Sequence, residues 1–131
     1  MKTNRIPKII DTAVKLLWIS LVFVTIRSIF DIYSSGNYNV GSMEAYIIGS
    51  ALAIPLIGIA AWIISMISKG KSWARTTYLV LFIVKFPESI IGFVMALSIN
   101  PLVSLLHFGE ILFPVIAFTL LFRSKSSKWF K

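Results

Sequence analysis

Six side chains in this sequence have types and spacings that could do chemistry away from water: Arg27, Asp31, Lys85, Glu88, His107 and Glu110. Each stands inside or at the edge of a long apolar run. Arg27 and Asp31 are four residues apart, Lys85 and Glu88 three, and His107 and Glu110 three, so on helices each pair shares a face. A carboxylate beside a cation in such surroundings can lock two helices together, handle a proton, or meet the charge of another membrane protein. Other chemistries lack their parts. Cysteine is absent, which removes thiolate nucleophiles, thiolate metal sites and disulfides together. His107 is the single histidine of the chain, so neither a metal nor any other cofactor is expected. No nucleophile with a base beside it and no phosphate-cradling loop occurs, and an enzyme is not expected.

The elements that must position these residues are membrane spans. Of the 131 residues 57% are hydrophobic and 14% charged, and an ordinary soluble domain, with about a quarter of its residues charged, could not hide so much apolar surface. A helix rises ~1.5 Å per residue across a hydrocarbon layer ~30 Å thick, so a span needs roughly 20 mostly apolar residues. Four segments qualify: about 9–33, 45–67, 76–98 and 102–122. They leave no length for a separate soluble module, and residues 1–131 read as a single transmembrane domain. The first segment runs past Arg27 and Asp31 without a small-residue cleavage site, and reads as a retained span. Pro7 suits its first turn, and Asp11 precedes Lys15 by one helical turn as a favourable pair.

Charge gives the direction. Eleven of the thirteen lysines and arginines fall before residue 16, in Lys69 to Arg75, or after residue 122. The stretch 34–42 and the tight turn at Asn100-Pro101 carry none. The positive-inside rule therefore places both ends and the middle loop in the cytoplasm, N-in and C-in, with Trp73, Trp129 and Phe130 as interfacial anchors. The same rule explains the formal charge of +8 without nucleic acid, for which no basic stripe interleaved with aromatics exists. Anionic lipid at the cytoplasmic face is the partner that this rim implies.

Within the bundle, Lys85 lies near the middle of the third span and Glu110 near the middle of the fourth. With a tight turn between those spans, the sequence predicts an interior polar cluster of Lys85, Glu88 and Glu110, with His107 one turn outward. Arg27 and Asp31 are expected as a second pair nearer the outer face. Pro87 frees a backbone carbonyl beside the cluster. In the second span Ala45, Gly49 and Ala53 form a small-residue stripe that admits close helix packing, inside the monomer or at a homodimer seam. Pro55 and Gly58 are expected to kink that helix.

The two halves share a pattern. Arg27 maps on Lys85, Asp31 on Glu88, Pro55 on Pro114 and Trp73 on Trp129, at offsets of 58, 57, 59 and 56 residues. Duplication would give two parallel helical-hairpin repeats about an axis along the membrane normal. The expected fold class is thus an all-α membrane protein, a four-transmembrane-helix bundle.

At Gly70-Lys71-Ser72-Trp73-Ala74-Arg75, and again from Leu121-Phe122 to Trp129-Phe130, the chain resembles small uncharacterised bacterial inner-membrane proteins. Those have four transmembrane helices, a G-x-x-W-A-R turn before the third, and a terminal tryptophan-phenylalanine pair. The resemblance implies a bacterial cytoplasmic (inner) membrane and brings no activity or site residues with it. Two function classes then compete. One is a binding or accessory protein, immunity-like or regulatory, that acts through intramembrane contacts with another membrane protein or with a second copy of itself. The other is a small oligomeric transporter or channel subunit with a midplane lysine–glutamate site.

Overall fold

A computed structural model describes residues 5–35 and 43–130, with side chains described for 5–30, 51–123 and 125–130. Four long helices make up nearly all of it: α1 (Lys8–Ser35), α2 (Met43–Ser68), α3 (Ser72–Ile99) and α4 (Pro101–Leu121), followed by one short turn, α5 (Ser124–Ser127). All four are long and apolar enough to cross a membrane. At 28 residues, α1 and α3 are about 42 Å long and overreach the hydrocarbon layer at their ends. No strand occurs among the described residues.

The helices alternate in direction and pack in a ring, each against the next, with α4 closing on α1. Sequence sets the corners. At Asn100 the chain turns sharply: the Asn100 side chain accepts the Leu102 N–H at 3.0 Å and Pro101 opens α4, two standard helix-start devices in adjacent residues. Gly70 closes α2 with a φ of +77°, and the N–H groups of Gly70 and Lys71 donate to the carbonyls of Ile67 and Met66. That is the Schellman arrangement, which needs a residue able to sit in the left-handed region. Asp11 and Lys15 pair at 2.7 Å, as their spacing predicts.

Burial divides the bundle along its length. At the basic end, Ile10, Leu17, Ile64, Ile67, Ala74, Ala117 and Leu121 form an apolar core. Toward the other end, the buried residues of α3 and α4 include Ser89, Ser104, His107 and Glu110. The helices also differ among themselves. Nine of the 21 residues of α4 are buried, against three of the 28 in α3. So α4 is the hub of the fold and α3 lies at its edge. α2 continues unbroken through Pro55, which is exposed along with Gly58.

Candidate functional site

The polar half of the bundle is organised on α4. His107 and Glu110, three residues apart, are both buried, and Arg27 of α1 reaches in to place its Nε 3.0 Å from Glu110 Oε2. His107 Nδ1 lies 4.0 Å from the same oxygen. Two glycines allow this closeness. A Cβ at Gly92 would stand 2.5 Å from the His107 ring, and one at Gly109 would stand 2.8 Å from the ring of Phe23. Phe23 in turn packs on Phe113 at 5.4 Å, so α1 is pressed onto α4 one turn below Arg27. An ion buried at such depth costs several kcal/mol unless neutralised, and removing one member of a buried pair typically costs ~3–5 kcal/mol. The arrangement holds α1, α3 and α4 together, and it sets an imidazole beside a carboxylate–guanidinium pair.

Glu110 thus finds its cation in α1, where the sequence pointed to α3. The expected cluster is divided: His107 and Glu110 are interior, while Lys85 and Glu88 lie on the exposed surface of α3. Register separates Lys85 from Glu110. The Asn100 turn sets Gly92 against His107, Phe93 against Phe108 and Phe82 against Phe118. Lys85 therefore stands level with about Val115, roughly five residues and 8 Å along the axis from Glu110. Equal depth in two spans, judged from their lengths, was too coarse to pair side chains. Among the described residues, neither Lys85 nor Glu88 forms an ion pair.

Of the other expected residues, Arg27 is 12% exposed and turned into the bundle toward Glu110. Asp31 lies in α1 and Ala45 and Gly49 in α2, with their side chains outside the described residues; Ala53 is half-buried. Arg27 and Lys85, equivalent under the expected repeat, occupy opposite environments.

The Gly70–Arg75 turn and the segment from Leu121 to Phe130 meet in space. The Arg75 guanidinium lies between the rings of Phe122 and Phe130, 4.7 and 4.5 Å from their centroids, and donates from Nη1 to the Leu121 carbonyl at 3.0 Å. Ser126 Oγ donates to the Leu120 carbonyl at 2.7 Å. The last two carbonyls of α4, which have no partner within the helix, are thereby satisfied, and a cation sits at the negative end of its dipole. Gly70 completes the junction, since a Cβ there would come within 3.0 Å of Trp129. Trp73 packs against Trp62 of α2 in a tilted pair, 5.5 Å between ring centroids. Trp73, Trp129 and Phe130, expected as separate interfacial anchors, belong with Phe122 and Trp62 to one junction; an arginine two residues after a tryptophan, with a tryptophan–phenylalanine pair downstream, is the sequence signal for it.

Compared with known families, curated proteins and solved structures, the chain matches none. The structure identifies the chain as an all-α bundle of four helices, each long and apolar enough to cross a membrane.

Proposed function

We propose that this chain is a binding or accessory protein of a bacterial inner membrane, immunity-like or regulatory, which acts through intramembrane helix contacts made by α3. The observation that carries this reading is the exposure of Lys85 and Glu88 in the middle of α3. Each central charge costs ~2.5–3.5 kcal/mol on insertion scales, and from the middle of a layer ~30 Å thick neither side chain reaches an interface. A face that retains two such charges is built to be covered. The basic residues at the opposite pole from Asn100 then lie in the cytoplasm against anionic lipid.

The test compares the wild type with Lys85→Met as full-length proteins in mild detergent. The reading expects the variant to keep its abundance and thermal stability while losing a complex that the wild type retains. A variant that unfolds would make Lys85 a packing lock and defeat the reading.

One observation favours the second reading, a small oligomeric transporter or channel subunit. The Arg27–Glu110 pair with His107 beside it is an interior ionisable group in a span, the sort of place where transporters couple ions. Liposomes separate the two: the accessory reading expects no ion flux, whereas a pH-dependent flux lost in Glu110→Gln would favour transport.

A further inference from the structure

The junction between the Gly70 turn and the tail leaves two donors unanswered. Arg75 Nε and the indole Nε1 of Trp129 are shut off from solvent, and neither meets a hydrogen-bond acceptor among the described residues. A buried N–H that gives up water without a replacement is destabilising, and folded proteins seldom keep one unless something outside the chain supplies the oxygen. The neighbours here do not supply it. Phe122 and Phe130 pack on the Arg75 guanidinium, and the Leu121 carbonyl is taken by Nη1, while the indole stands against Gly70. Both residues are only part-buried, so a ligand at this surface meets them.

We infer that the headgroup of an anionic phospholipid completes this junction, its phosphate and hydroxyl oxygens accepting from Arg75 Nε and Trp129 Nε1. Charge selects an anion. Lys69, Lys71, Arg123, Lys125 and Lys128 are exposed at the same pole, whereas Asp11, the acid nearest to it, is already paired with Lys15 at 2.7 Å. Basic sites between spans at the cytoplasmic surface suit such headgroups. Free phosphate offers the same oxygens, but Trp62 and Trp73, two residues before Arg75, are 53% and 44% exposed, and acyl chains cover apolar surface that phosphate leaves bare. A lipid therefore fits both parts. General attraction of a basic rim for anionic lipid needs charge alone; this site needs two particular N–H groups. It rests on the reading that this pole meets an anionic leaflet, and not on what covers α3.

Two substitutions remove the donors and little else. Arg75→Lys keeps the charge and loses the Nε–H, and Trp129→Phe keeps a ring and loses the indole N–H. The full-length wild type and both variants, in an uncharged detergent, are titrated with phosphatidylglycerol or phosphatidylcholine, with bound lipid read by native mass spectrometry. Unfolding temperatures are compared with each protein's own lipid-free value, so lost packing does not enter. The wild type is expected to hold phosphatidylglycerol about tenfold more tightly than phosphatidylcholine, and each variant to lose about tenfold of that affinity. Equal binding by wild type and variants leaves only the charge of the rim and overturns the site. A wild type that prefers neither lipid overturns it whether or not the variants fold. Inorganic phosphate that raises the wild-type unfolding temperature as much as phosphatidylglycerol does overturns lipid as the occupant. Detergent removes the two sides of the membrane, so failure here is distinct from failure of the orientation.

Discussion

Arg27 and Glu110 hold each other in a setting where neither is stable alone, and that gives the sharpest expectation at the scale of single residues. Arg27→Met should destabilise the bundle by ~3–5 kcal/mol, because it leaves a buried carboxylate without its cation, and the double change Arg27→Met with Glu110→Met should recover most of the loss. Thermal unfolding in detergent measures both; equal losses in the single and double variants would show that the pair does not act as a unit. Gly70→Ala should cost ~1–2 kcal/mol in the same measurement, since its backbone is left-handed and Trp129 crowds the space a methyl group would take. The site was legible only in part. Spacing and burial cost singled out the ionisable residues, and His107 and Glu110 are indeed interior. The partner was not legible, because Arg27 and Glu110 lie 83 positions apart and only the packing of α1 on α4 joins them. The glycines that permit the packing, Gly92 and Gly109, carry no local signal that separates a close approach from an ordinary small residue.

Among the elements, α3 and α4 illustrate how far hydropathy reaches. Length and apolar content fix both as spans, and the Asn100-Pro101 turn announces itself through a capping side chain and a proline at the first helical position. Yet the two helices are about equally apolar to a reader of sequence, and one is the hub while the other is the rim. In a membrane this distinction is invisible to hydrophobicity, because lipid and protein interior are alike apolar. It follows that Lys85→Met combined with Glu88→Gln should leave the unfolding temperature of the isolated chain in detergent nearly unchanged, whereas Gly92→Ala should lower it by ~1–3 kcal/mol of stability through displacement of the His107 ring. If the α3 surface pair proved the more damaging of the two, the assignment of α3 to the rim would fail. Arg75→Lys should cost ~0.5–1 kcal/mol, since an ammonium loses the planar stacking between Phe122 and Phe130 while keeping the charge.

For the whole molecule, the alternation of the four helices puts both ends of the described chain and the Gly70 turn at one pole, and Asn100 at the other. A reporter inserted at Asn100 is expected to read as outside the cytoplasm, and one joined after residue 130 as inside it; the reverse result would invert the bundle. The grip on Arg75 bears on how such a chain is made. Either hairpin can enter the bilayer as soon as its own two spans have left the ribosome, but the aromatic pair that seizes the arginine is translated 47 and 55 positions after it. Until Phe130 emerges, α3 and α4 lack this fastening, so closing the second hairpin at its basic end is a step of biogenesis that follows the insertion of α3 and cannot precede it.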